Sequence, residues 1–146
     1  MREANLRAML EKGWLKEHEP QRREIENHLR HAATLLESAD AKGVAADARF
    51  LLVYEAAHAI SLAALKLAGY RTGDSDAHRV HALNTIELVL PVRKGFGAAL
   101  QEANRIRNIA TYSGDDVDVP DSLVETLVGG TREAMDETQR VFKQKM

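Results

Sequence analysis

The 146-residue sequence contains no cysteine. That excludes a disulfide framework, a thiolate metal site and a cysteine nucleophile. Prolines number only three and aromatic residues make up 5% of the chain, which, beside abundant Ala, Leu, Glu and Arg, favours helix over sheet. No charge dominates either. The formal net charge is −2, so contact with nucleic acid would need a local basic patch. No run approaches about 18 uninterrupted apolar residues, and Met1–Asn5 leads into no apolar stretch of signal-peptide length. A soluble, cytoplasmic chain without a membrane span is therefore expected. A phosphate-binding loop, a dinucleotide fingerprint, a serine nucleophile elbow and a His-Glu-x-x-His pair are all missing, and no cofactor is implied.

What remains is a composition of 45% hydrophobic and 29% charged residues, ordinary for one globular domain with a real core. Residues 3–17 read as a short amphipathic helix, with Leu6, Met9, Leu10 and Trp14 on one side and Gly13 weakening its end. Residues 1–18 are thus expected as an N-terminal helical extension of a bundle over 19–146. Trp14 either docks on its own chain or anchors a partner. Pro20 sits near the start of a second helix, where its missing N–H costs little. Ile25, Leu29, Ala32, Leu36 and Ala39 then form a clear apolar stripe that should stop near Gly43.

Ala45–Ala68 is apolar on nearly every side and should be the central helix. Glu55 interrupts it and must be paired, protonated or at a surface. It either bonds to a neighbouring helix structurally or orients an arginine from 105–107. After the polar loop 69–76, in which Ser75 or Asp76 is a candidate cap, a helix is expected from Ala77 to Leu90, ended by Pro91. His78 and His81 stand at i, i+3 on it, a spacing that makes no metal site without a third ligand. A partner contact or a helix-start hydrogen bond suits them better. Further helices are expected over Phe96–Tyr112 and Pro120–Lys145, with Gly129-Gly130 marking a kink or a close helix crossing. No strand pattern is visible. The reading is an all-α, up-and-down bundle of about five helices with a short N-terminal helix.

Polar chemistry concentrates in Ala103–Gly114, Ala-Asn-Arg-Ile-Arg-Asn-Ile-Ala-Thr-Tyr-Ser-Gly. As a helix, it puts Asn104, Arg107, Asn108 and Thr111 on one stripe, with Leu100, Ala103, Ile106 and Ala110 toward the core. Such a stripe is either a solvated face or a grip. Arg105, Arg107 and Asn108 can hold a phosphate, and Tyr112 can stack on a base or donate its hydroxyl.

These residues also carry a resemblance. Arg49–Ala57, Ala68-Gly69-Tyr70-Arg71, His78 with His81, and Arg105–Tyr112 resemble the HEPN family, small α-helical domains of toxin–antitoxin, defence and RNA-processing systems. The resemblance covers about 20–142 and implies a homodimer in which two copies of an Arg-x4–6-His motif form one site. Arg107 takes the arginine position and Asn108 the polar position after it. Tyr112 stands where a nuclease member has histidine, and a neutral tyrosine is a poor general base near pH 7. The resemblance therefore implies first an interaction module binding RNA, a nucleotide or a protein partner such as an antitoxin. Its second implication is a metal-independent endoribonuclease using paired Arg107, Asn108 and Tyr112. Arg105, Glu55, His78 and His81 are the surrounding candidate ligand contacts.

Overall fold

The computed structural model describes residues 2–74, 77–115 and 118–146. Among these, six α-helices dominate: α1 (Arg2–Glu11), α2 (Arg22–Ala39), α3 (Ala46–Leu67), α4 (His78–Val89), α5 (Phe96–Asn108) and α6 (Asp121–Lys145). The chain is all-α in character, with one small addition. Two three-residue strands, β1 (Leu15–Glu17) and β2 (Tyr70–Thr72), pair antiparallel, Leu15 opposite Thr72 and Glu17 opposite Tyr70.

Helix α3 organises the rest because it has almost no polar side. Phe50, Val53, Tyr54, Ala57, Ile60 and Ala64 are buried, and the small side chains among them let neighbouring backbones approach closely. It packs most extensively on α2, then on α6 and α4. By length and composition alone α3 is apolar enough to cross a membrane, but 67% of its most apolar window is buried inside the protein. That is how the core helix of a bundle behaves. Helix α2 answers with the expected stripe: Ile25, Leu29, Ala32 and Ala39 are buried and Leu36 packs against them.

Polar ties at the helix ends fix the directions. Arg22 at the start of α2 donates to the Met146 carbonyl, and Lys145 donates to the Leu67 carbonyl at 3.2 Å. At the other end Asp40 pairs with Arg132 and lies 3.9 Å from Arg49. So α2 runs against both α3 and α6, while α3 and α6 share a direction, which departs from strict up-and-down alternation. The glycine pair in α6 marks a close crossing. A Cβ on Gly130 would overlap the Phe96 ring and one on Gly129 the Arg93 guanidinium.

Several boundaries differ from the sequence expectation, for identifiable reasons. The N-terminal helix stops at Glu11, and Gly13, at φ 77°, turns the chain into β1. A three-residue strand is too short to show alternation, so the ribbon was invisible in the sequence. It forms because Leu15, 1% exposed, joins Leu6, Met9 and Leu65 in a second apolar cluster. Pro20 lies just before α2, whose cap is Gln21. Ser75 and Asp76, the expected cap candidates, lie outside the described residues.

The clearest departure is at the end of α5. Instead of continuing as α-helix, Ile109–Ser113 forms a π-helical turn closed by Gly114 at φ 69°. The wider i→i+5 turn changes which side each residue faces. Ala110, expected on the core, is exposed as a result.

Candidate functional site

Two adjacent residues of α3 each hold one neighbouring helix. The Tyr54 hydroxyl, on a fully buried side chain, donates to Asn104 Oδ1 of α5 at 2.7 Å. Glu55, the next residue, accepts from Arg79 of α4: one guanidinium nitrogen lies 3.1 Å from both carboxylate oxygens. The Arg79 guanidinium also sits 5.7 Å from the Tyr54 ring centroid, within reach of a cation–π contact. These two bonds position α4 and α5 side by side. Between them opens a cleft of about 370 Å³ lined by His78, Arg79, Asn104, Arg107, Asn108 and Tyr112.

Helix geometry accounts for the α5 contribution. Asn104, Arg107 and Asn108 recur at i, i+3, i+4 and so share one face, opposite the buried Leu100, Ala103 and Ile106. The π turn then carries Tyr112 to the mouth, where it is 76% exposed. Arg107 donates to Asn108 Oδ1 at 3.3 Å. That long bond leaves most of its five N–H donors available, and among the described residues no carboxylate pairs with it.

The electrostatics are those of a cationic recess. Burial works against the charge on Arg79, but its bonds to Glu55 and that carboxylate's charge outweigh burial and hold its pKa above the ordinary arginine range. Burial pushes the Tyr54 hydroxyl up despite Arg79 and Arg107 nearby, so it remains a neutral donor. His58, one turn beyond Glu55, is pushed down to about 3, chiefly by burial and then by the charges of Arg79, His78, His28 and Arg107.

Of the residues nominated from sequence, the cleft gathers Arg107, Asn108, Tyr112 and His78. Arg105 points elsewhere, paired with Glu102 on the surface of its own helix at 3.0 Å. His81 is buried under Trp14, the rings stacked at 4.6 Å and 17°. It docks the N-terminal segment onto α4 and does not reach the cleft. Glu55 does not orient an arginine from 105–107, because α4 intervenes and supplies Arg79. Arg79 and the role of Asn104 escaped the sequence reading. The only hint was a cation inside His78-Arg79-Val80-His81 facing a helix with one unexplained acid. Among the described residues no group of three or more histidines or acids is placed to hold a metal ion.

The cleft thus presents donors at several angles and an aromatic at its lip, with the Glu55 carboxylate behind it already committed to Arg79. In comparison with known proteins, no family model, curated protein or solved structure matches the chain.

Proposed function

We propose that the chain is a HEPN-like module that works as a homodimer and binds RNA through the α4–α5 cleft, as a component of a toxin–antitoxin or defence system. The observation that carries this reading is the state of Arg107. It stands among Asn108, His78 and Tyr112 without a carboxylate partner among the described residues. An arginine fork of that kind suits a phosphate, and an exposed tyrosine beside it suits an unstacked base. Dimerisation is favoured by Leu51, 41% exposed and one turn before Glu55 on the same face of α3. The test is a gel shift of single-stranded RNA in EDTA with mass determination in solution. Wild type should run as a dimer and retain RNA, and Arg107→Ala should lose retention; a monomer without retention overturns the proposal.

A metal-independent endoribonuclease is the second reading, and one observation favours it. Tyr112 occupies the motif's histidine position, but His78 enters the same cleft from α4. Histidine is the side chain best suited to proton transfer near neutral pH. It would take the proton of a ribose 2′-hydroxyl as that oxygen attacks phosphorus, a 2′,3′-cyclic phosphate forms and the 5′-oxygen leaves with a proton from water, with Arg107 stabilising the phosphorane charge. Cleavage in EDTA by wild type, abolished in both His78→Ala and Arg107→Ala, would establish it. Binding without cleavage would exclude it.

A further inference from the structure

A second recess lies on the other side of His78. It encloses about 520 Å³ and is lined by His28, His58, Lys66, Arg71 and His78, with Asp74 at its rim. Its elements are α2, α3, β2 and the start of α4, and none of its residues except His78 belongs to the α4–α5 cleft. The two recesses are therefore neighbours, with His78 bordering both.

The polar groups here are arranged by a short relay. His18 Nε2 lies 2.8 Å from Glu24 Oε1, and Lys66 donates to Glu24 Oε2 at 3.0 Å. The Lys66 ammonium also lies 3.1 Å from His28 Nε2. An ammonium has only hydrogens to offer, so His28 accepts there and its Nε2 carries no proton. Burial and the Lys66 charge hold His28 down at about 4, which keeps that ring neutral. Two of the three Lys66 donors are thus engaged and one is left. Arg71 spends one nitrogen on the Thr72 carbonyl at 3.1 Å. The ring of His58 adds a buried Nε2 that has no hydrogen-bond partner among the described residues, a rare condition for a buried polar atom.

The carboxylates nearby are already matched. Asp74 is bound by Lys16 at 2.8 Å with Arg71 at 3.8 Å, and Glu24 is held by His18 and Lys66. Among the described residues, Lys16, Lys66 and Arg71 outnumber Glu24 and Asp74 by one cation. Among the described residues the recess thus has donors to spare, more cations than carboxylates and one buried nitrogen without a hydrogen bond, features that suit an anionic oxygen group.

We propose that this recess holds a second phosphate of the RNA strand whose first phosphate is gripped by Arg107. Arg71 and the free Lys66 donor would bind its oxygens and His58 Nε2–H would supply the buried contact. The proposal rests on the RNA-binding reading above. It makes the ligand a strand that passes His78 from one recess to the next, and it makes His58 a positioning group for that strand.

Two probes test it. Inorganic phosphate is titrated against the full chain while the histidine ring nitrogens are followed by NMR, and a single-stranded RNA decamer is titrated by fluorescence anisotropy. The variants are Arg71→Gln and Lys66→Met, with Arg107→Ala beside them. Arg71 is 39% exposed, so its replacement leaves packing intact even where Lys66→Met disturbs α2–α3. In wild type, phosphate should shift the His58 ring signals, and Arg71→Gln should abolish that shift and weaken RNA binding about tenfold, the scale of one charge-assisted hydrogen bond. RNA binding lost in Arg107→Ala but unchanged in Arg71→Gln and Lys66→Met overturns the second phosphate site and leaves the RNA reading standing. Phosphate binding at His58 without RNA binding assigns the recess to free phosphate or a mononucleotide and overturns the strand. Response to neither probe overturns both.

Discussion

Arg79 and Arg107 line the same cleft from neighbouring helices, yet their surroundings are opposite. Arg79 is three-quarters covered, its guanidinium nitrogen 3.1 Å from both oxygens of Glu55 and its plane near the Tyr54 ring. Among the described residues Arg107 reaches only the side-chain oxygen of the next residue, at 3.3 Å. Proximity to a cleft therefore does not make an arginine functional. The first holds α4 against α3, and the second has donors left for something else. The difference comes from α3, which has one acid on the α4 side and none facing α5, where Tyr54 offers a neutral hydroxyl to Asn104.

The largest expected effect comes from protonating two covered histidines, His58 near both arginines and His28 beside Lys66. His28 and His58 are held neutral by burial, at about 4 and about 3, whereas an unfolded histidine protonates near 6.5. Between those values the unfolded chain binds more protons, so stability falls as pH is lowered from about 6.5 and the loss levels off below the folded pKa values. Each ring adds at most about 1.4 kcal/mol per pH unit in that window, and the more solvated His28 adds less. Urea unfolding at pH 7.5, 6 and 5 should show the decline, and His28→Gln with His58→Gln should flatten it. An equal slope in that variant would mean the loss lies elsewhere.

Next in size is Arg79→Ala, which leaves Glu55 unpaired at a partly covered site. A cost of about 2 kcal/mol is expected in urea unfolding, below the range for a fully buried pair because both groups keep some solvent. Glu55→Ala should cost a similar amount, and the double variant less than the sum. Additive losses would separate the two residues and dissolve the contrast with Arg107.

Tyr54→Phe comes third. It keeps the ring in the core and removes only the 2.7 Å bond to Asn104, with an expected loss of about 1 kcal/mol. It should also loosen the cleft wall, seen as faster amide exchange along the second half of α5. Arg105→Ala is the smallest. Its pair with Glu102 is exposed, i, i+3 on one helix, so urea unfolding should be indistinguishable from wild type, and a measurable loss would show that this arginine does more than decorate the surface.

How far the sequence revealed this arrangement depends on the range of the interactions involved. The apolar stripe of α2 and the all-round burial of α3 were legible, because they follow from helical periodicity within one segment. The grouping of Asn104, Arg107 and Asn108 was legible for the same reason. The partner of Glu55 was not, because the choice between Arg79 and Arg107 depends on which helix packs against that side of α3. The β1–β2 ribbon depends on one leucine finding a cluster formed by α1 and α3. The π turn gave no local signal either, and it exposed Ala110 and set the position of Tyr112. The stacking of Trp14 on His81 joins residues 14 and 81, and nothing along the chain announces it.

The most direct test of the contrast is one variant measured twice. Arg107→Ala should unfold in urea within about 0.5 kcal/mol of wild type, as a substitution outside the core does, while its affinity for single-stranded RNA falls at least about tenfold. An Arg107→Ala protein that loses stability as Arg79→Ala does, or that binds RNA as tightly as wild type, would contradict the assignment of Arg107 as the uncommitted, ligand-binding arginine.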